Sequence, residues 1–237
     1  MSIRFPILAL IFFSGVAFAQ SDYDNRTLEV KRMFSQRALQ ALNEPFVGVT
    51  SDGSVESGLF SIRASGVSTT PVMEAARQFL ATLEPDQKVR SVFSVQDSEW
   101  RRWSNVDNGI FLRQGISLKE MTGEQRKAAM NLMRESLSAN GLQLSLDIMK
   151  TDQTLREIND DVLSYDEELY FFTLMGLPST TEPWGWQIDG HHLIINYFVL
   201  GDQVVMTPVF LGGEPAQQRA QAHPRSHPHC DTHAQWK

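Results

Sequence analysis

The sequence predicts an α+β fold in which a helical N-terminal two-thirds packs against a short antiparallel β-meander. Apolar residues recur at helical spacing in several segments between residues 24 and 158. Residues 165–210 instead consist of aromatic and β-branched runs separated by Asp-Gly and Gly-Asp dipeptides, a pattern typical of strands and tight turns. Because 42% of the residues are hydrophobic, the chain can bury a core of its own.

The N-terminus has the three parts of a cleavable secretory signal peptide. Arg4 provides the positive charge, residues 5–16 form the apolar run, and the Ala-Phe-Ala sequence at residues 17–19 is a small-residue cleavage site. The apolar run is shorter than the roughly 20 residues that span a bilayer. We therefore expect residues 1–19 to be removed, the protein to be exported to the periplasm or the extracellular space, and no stable membrane anchor to remain.

The charge and the cysteine count argue against some partners and against disulfide stabilisation. The formal net charge is −7, and it becomes −8 when Arg4 is lost with the signal peptide. An acidic protein is a poor partner for nucleic acid or anionic lipid, so neither is expected. Cys230 is the only cysteine, so an internal disulfide cannot form. We expect packing alone to hold residues 20–215 together as a single domain.

The first predicted elements of the mature chain are a helix and a hairpin. Residues 24–42 have the apolar spacing of an amphipathic helix. Residues 46–65 change to a strand-like pattern about Asp52-Gly53, which predicts a hairpin because both residues tolerate positive φ. Thr70 is expected to cap the helix that follows.

Two more helices are predicted in the middle of the chain. Thr122-x-x-Gln125 matches the capping box that starts a helix. The apolar stripe that follows predicts a helix over residues 125–138, which Gly141 would end in the left-handed conformation. The helical pattern resumes over residues 142–158.

Three antiparallel strands are predicted for the meander, with Asp189-Gly190 and Gly201-Asp202 as two-residue hairpin loops. The strands that follow from these loops are residues 184–188, 191–200 and 203–210. Side chains alternate across a strand, so one face of the meander is mostly apolar and should meet the helices. The residues of that face are Trp184, Trp186, Ile188, His191, Leu193, Ile195 and Tyr197.

The opposite face of the meander carries a predicted column of polar side chains. In the predicted register Gln187 lies across from His192, and Asn196 lies across from Thr207, with Gly185 leaving room beside them. Such a column on a rigid sheet could orient a small-molecule ligand or hold a divalent transition metal. With the flanking residues, the ligand-binding candidates are Glu182, Trp184, Gln187, Asn196 and Thr207.

His191 and His192 are the metal-ligand candidates, because imidazole commonly binds zinc, copper and iron. Adjacent residues of a strand point to opposite faces, so these two side chains should not readily bind the same ion unless a bulge intervenes. A structural role in packing is the alternative for either histidine.

Five segments of the chain resemble the uncharacterised family catalogued as domain of unknown function 3500. The segments are GVTSDGSVESGLFSIRASGVSTTPV (48–72), FLATLEPDQ (79–87), EWRRWSN (99–105), SLKEMTGEQRKAAMNLMRESLSANG (117–141) and EPWGWQIDGHHLIINYFVLGDQVVMTPVFLGGEP (182–215). The resemblance implies export but no assigned activity. It also implies a continuation beyond residue 215 that ends in a second histidine-containing motif, which this chain does not match.

Residues 216–237 differ in composition from the rest of the chain. They hold four of the six histidines, three of them in His227-Pro228-His229-Cys230 and the following His233. This pattern could be a transition-metal-binding tract. The segment also lacks apolar periodicity, and we expect it to be the disordered end of a truncated or frame-shifted form of the family domain.

Two classes of function follow from the sequence. The first is an exported enzyme or metal-dependent protein with its site on the meander. The second is a non-catalytic exported binding or structural domain in which the histidines and tryptophans serve packing. No catalytic residue is assigned, because the sequence contains no nucleophile elbow, phosphate-binding loop, paired-histidine helix motif or cofactor fingerprint.

Overall fold

The computed structural model describes residues 14–44, 54, 63–64 and 66–214, and within these residues it confirms the α+β fold. The predicted hairpin at residues 46–65 lies largely outside them, as does the C-terminal segment 216–237. The helices are α1 (Ser14–Leu42), α2 (Thr70–Thr82), α3 (Pro85–Ser91), α4 (Gly123–Ser136) and α5 (Ala139–Asn159). The strands are β1 (Val92–Phe93), β2 (Ile116–Ser117), β3 (Phe171–Met175), β4 (Trp184–Gly190), β5 (Leu193–Leu200), β6 (Gln203–Val205) and β7 (Val209–Leu211). Among the helices described, none combines the length and apolar character that a membrane span requires.

Local capping chemistry predicts the start of α4 correctly, but it does not predict the end of α4 or the N-cap of α2. The predicted capping box of α4 is present, with the Gln125 backbone N–H donating to Thr122 Oγ1 at 3.3 Å. The predicted end at Gly141 is wrong, because α4 stops at Ser136 and a new helix begins three residues later. The hydroxyl of Ser138 accepts a hydrogen bond from the Gly141 N–H at 3.1 Å, which places Gly141 in the first turn of α5. At α2 the N-cap is Thr69 rather than Thr70.

The sheet is mixed, because strands that the sequence did not reveal join the predicted meander. Strands β3, β4 and β5 are antiparallel neighbours at its centre. Strand β1 pairs with the outer edge of β3 in parallel, and β2 pairs antiparallel with the same edge. Strands β6 and β7 both pair antiparallel with the outer edge of β5. Before β3, the described residues form the five helices, a short 3-10 helix, the two short strands β1 and β2, and irregular segments.

One of the two predicted hairpin loops is correct and the other is wrong. Gly201-Asp202 forms the β5–β6 loop, since Leu200 pairs with Gln203. Asp189 and Gly190 instead belong to β4, where the ring of Tyr170 lies so close that a Cβ atom on Gly190 would overlap it. Gly190 therefore provides space rather than a turn, and the β4–β5 loop moves two residues along the chain.

The predicted apolar face of the sheet packs against the helices, as expected. The ring of Trp186 stacks on Phe172 and on Tyr197, with ring centroids 6.1 and 5.7 Å apart. Its indole N–H donates to Ser136 Oγ of α4 at 3.2 Å, and Phe79 of α2 contacts Phe172. Burial of several large aromatic side chains in one continuous core gives this face most of its stabilisation.

The polar face of the sheet, which was predicted to carry the column of polar side chains, is covered by another part of the chain. Residues 94–115, which include a short 3-10 helix (Ser98–Arg101), cross it. Trp100 packs against Phe198 and fills the space beside Gly185. The backbone N–H of Ser104 donates to Asp189 Oδ1 at 3.2 Å. Side chains on this face are therefore buried between two layers.

Glu99 is a buried carboxyl group in this covering segment, with only 2% of its surface exposed. Its Oε2 accepts a hydrogen bond from Gln114 Nε2 at 2.7 Å. Burial raises its pKa from 4.5 to about 7, although the Arg102 charge and the Gln114 hydrogen bond oppose the increase. The folded protein therefore retains a proton at Glu99 at pH values where the unfolded chain releases it.

We expect Gly185→Ala to lower the free energy of unfolding by about 1–3 kcal/mol, because its Cβ would overlap the Tyr197 carbonyl oxygen and the Trp100 ring. Gly123→Ala is the matched control. A Cβ at Gly123 meets nothing within 4 Å, so urea unfolding should show a change of at most about 0.5 kcal/mol. Equal losses for the two variants would contradict the described packing of Trp100.

We expect Glu99 to make the protein less stable as the pH rises. Between about pH 4.5 and about 7 the folded state binds more protons than the unfolded state, so the free energy of unfolding falls across this range and then levels off. The full loss is on the order of 3 kcal/mol. Urea unfolding at a series of pH values should show that Glu99→Gln removes this fall, whereas Glu124→Gln, at an exposed position of α4, retains it.

Candidate functional site

The β4–β5 turn places two histidine rings side by side. His191 and His192 form the two-residue loop, since Gly190 pairs with Leu193. His192 has a φ of +58°, in the left-handed region that histidine adopts more often than most residues. The two ring centroids lie 4.0 Å apart. The expectation that the rings diverge was wrong, because it assumed strand alternation at residues that instead form a turn.

His191 is buried and oriented by a carboxylate from α5. Its Nδ1 lies 2.6 Å from Asp152 Oδ1, and both side chains are almost completely buried. The Tyr170 hydroxyl lies 2.9 Å from Asp152 Oδ2 and 3.0 Å from the His191 carbonyl oxygen. Burial, with the Asp152 charge adding to it, raises the pKa of Tyr170 well above its usual value, so the hydroxyl remains a donor. With Nδ1 bonded to Asp152, the nitrogen of His191 that is left for another partner is Nε2.

His192 is half-buried and has an unused nitrogen. Its Nδ1 is buried and has no hydrogen-bond partner among the residues that the structure describes. Burial lowers the pKa of His192, and the neighbouring His191 lowers it further, although Glu214 and Asp152 oppose this. The ring is therefore neutral at neutral pH, which is the form that binds a metal ion.

The chain segment after β7 brings a carboxylate to the two rings. The Gly212 N–H donates to the His192 carbonyl oxygen at 2.8 Å, which holds this segment beside the turn. One nitrogen of His191, one nitrogen of His192 and one carboxylate oxygen of Glu214 all lie within 4.8 Å of one another. These three residues are called the turn cluster below. Two imidazoles and one carboxylate form a donor set that suits a divalent transition metal.

The predicted polar column does not form. Gln187 pairs with Asn196 rather than with His192, and its Nε2 donates to Asn196 Oδ1 at 2.6 Å. The predicted partnership of Asn196 and Thr207 is also wrong. Asn196 bonds through its backbone N–H and its side-chain amide to the Pro208 carbonyl oxygen, because the chain between β6 and β7 shifts the register by one residue. Thr207 is exposed.

The remaining ligand-binding candidates, Trp184 and Glu182, are not part of the turn cluster. Trp184 is fully buried in the core, and its indole N–H donates to the Ser179 carbonyl oxygen at 2.9 Å. Glu182 is exposed in the loop before β4. Of the predicted site residues, only His191 and His192 belong to the cluster.

Sequence reasoning missed Asp152 and Glu214. A signal for Asp152 was present, because it follows Ile148 and Met149 on the buried stripe of α5, where an acidic residue requires a partner. Glu214 gave no such signal, since only the pairing of β7 with β5 brings it to the turn.

Comparison with known proteins identifies a family but no activity. The sequence profile described as Protein of unknown function (DUF3500) matches residues 65–232. This span is more than half of the chain and includes most of the histidine-rich C-terminal segment. No curated protein and no solved structure gives a significant match.

Proposed function

Because the chain belongs to the DUF3500 family of proteins of unknown function, we propose a function from its own site: the turn cluster binds a divalent transition metal. The observation that carries this proposal is the convergence of one carboxylate and two imidazoles within 4.8 Å. The buried Nδ1 of His192, which has no partner in the described part of the chain, supports it. A buried polar atom without a partner is costly unless a ligand binds it.

The chemistry of the cluster favours an ion of the zinc class. Metal bonds of about 2.1 Å place the ligand atoms of a tetrahedral site about 3.4 Å apart, so small rotations of the side chains would complete the site. Asp152 would act as the outer partner that orients His191, as carboxylates commonly do behind metal-binding histidines. Three protein ligands leave one position open, where a bound metal could activate water or polarise a carbonyl group.

A structural role for the two histidines is the competing interpretation. It is favoured by the buried contacts between His191, Asp152 and Tyr170, which fix the turn on α5 without any ion. In that case, substitution in the turn cluster changes stability only, and metal binding does not respond to it.

We expect the chelator-treated protein to bind one Zn²⁺ at the turn cluster, and His192→Ala and Glu214→Gln each to weaken binding at least about tenfold. Competition titration against a chromogenic chelator measures this. At a free Zn²⁺ concentration about 100 times the dissociation constant, the free energy of unfolding should rise by about 2.7 kcal/mol in the natural chain. Glu214 is exposed, so Glu214→Gln should leave the metal-free stability unchanged.

The histidines of residues 216–237 require a control, because they could bind Zn²⁺ themselves. A variant with His227, His229 and His233 all changed to Ala should keep the ion at the turn cluster. Loss of the ion in this variant, together with unchanged binding in His192→Ala and Glu214→Gln, would contradict the proposal.

We also propose that the protein acts outside the cytoplasm, on the basis of its N-terminal export signal. Expression in a secreting bacterium should yield a chain whose first residue is Gln20, as measured by N-terminal sequencing of the extracytoplasmic fraction. Ala19→Arg should block cleavage, because the residue before the cut must be small. Recovery of the natural chain with Met1 in the cytoplasm would contradict export.

A further inference from the structure

A second site lies at the outer edge of β3, among residues that the turn cluster does not use. A cavity of about 510 Å³ opens between α3, β2, β3 and the covering segment. This volume lies within the range of small-molecule pockets. Four cationic side chains line it: Arg90, Arg102, Arg113 and Lys119. It is called the arginine pocket below.

Three of these four cations are already paired with carboxylates. Arg113 lies 3.2 Å from Asp189, and Lys119 lies 2.7 Å from Asp166. Arg90 lies 2.8 Å from Glu120 in the same way. Asp166 also lies 2.7 Å from Arg156, so its one charge is shared between two cations. The carboxylates therefore offset most, but not all, of the charge of these three cations.

Arg102 is the cation without such a partner, since no carboxylate of the described residues lies within 4 Å of it. Glu99 interacts with Arg102 at longer range, but its raised pKa of about 7 means that it offsets only part of the charge near neutral pH. The pocket thus has a net positive charge, and Arg102 is its cation without a carboxylate partner among the described residues.

The pocket also has buried donors that lack acceptors. The Arg113 side chain has no exposed surface, and its NH2 atom donates to the carbonyl oxygens of Ser104 and Val106 at 2.5 and 2.6 Å. Its NH1 atom and the Nε atom of Arg102 are buried without a hydrogen-bond partner in the described part of the chain. Because the Arg113 side chain has no exposed surface, the group that a ligand in the pocket can reach is the partly buried Arg102 guanidinium.

Leu112, Leu169 and Phe171 contribute apolar surface to the pocket, beside the polar side chains of Gln114, Ser117 and Glu120. We propose that the arginine pocket binds a small organic monocarboxylate, whose carboxylate pairs with the Arg102 guanidinium and whose short apolar body lies against Leu169 and Phe171. One guanidinium without a carboxylate partner matches a monoanion better than a phosphate dianion. The apolar part of the lining matches a hydrocarbon body better than a free inorganic ion.

Titration calorimetry with hexanoate tests this site on the full chain, at about pH 6 and in the presence of a chelator. Saturable binding of one hexanoate is expected, and because the proposal does not involve the turn cluster, His192→Ala should bind it equally. Arg102→Gln should weaken binding at least about tenfold, because it removes the unpaired charge. Arg134→Gln, at an exposed position of α4, is the matched control and should leave binding unchanged.

Leu169→Glu is a second test that keeps every arginine. Leu169 is only partly buried, and a carboxylate placed there should repel hexanoate and abolish its binding. Urea unfolding of each variant verifies that it is folded. Absence of hexanoate binding to the natural chain would overturn the proposal, as would equal binding by Arg102→Gln. Inorganic phosphate or hexanol binding as tightly as hexanoate would also overturn it.

Discussion

The buried ion pair between Asp189 and Arg113 is the interaction on which the sheet, its cover and both proposed sites depend. Asp189 lies in β4 and points away from the helices, and burial raises its pKa against the opposing charge of Arg113. The same carboxylate accepts a hydrogen bond from the Ser104 N–H. Arg113 in turn donates to the carbonyl oxygens of Ser104 and Val106. One pair of side chains therefore holds residues 94–115 against the polar face of the sheet.

A buried pair of this kind determines position more than it adds stability. Taking two charges out of water costs several kcal/mol, which their attraction repays only when the geometry is good and the remaining atoms are bonded. Removal of one partner leaves the other charge buried, which typically costs about 3–5 kcal/mol. Asp189 therefore has to remain in the strand opposite Arg113, and the turn falls on the two histidines that follow Gly190.

Both proposed sites lie next to this pair. On one side, the turn that begins two residues after Asp189 presents His191 and His192 to Glu214. On the other side, Arg113 is part of the lining of the arginine pocket, and its hydrogen bonds to the Ser104 and Val106 carbonyl oxygens fix the segment that carries Arg102. The proposed metal site and the proposed carboxylate site therefore both depend on the position of the Asp189–Arg113 ion pair, although each uses its own ligand-binding atoms.

The sequence by itself determined the features that depend on local chemistry. The capping box at Thr122, the Gly201-Asp202 loop and the apolar face around Trp186 could all be predicted, because hydrogen bonds and side-chain alternation within a few residues decide them. The α+β class followed from the change of period along the chain. The export signal is likewise a local pattern and stands as a prediction.

Tertiary contacts decided where the β4–β5 turn falls and which residues lie beside its two histidines. Asp189-Gly190 has the composition of a loop, but Tyr170 and Arg113 approach it from segments 19 and 76 residues away and keep it in the strand. That shift changed the partner of Gln187 and brought His191 beside His192. Asp152 and Glu214 reach the histidines from α5 and from beyond β7. Contacts between such distant residues depend on the packing of whole elements, and spacing along one sequence does not specify them.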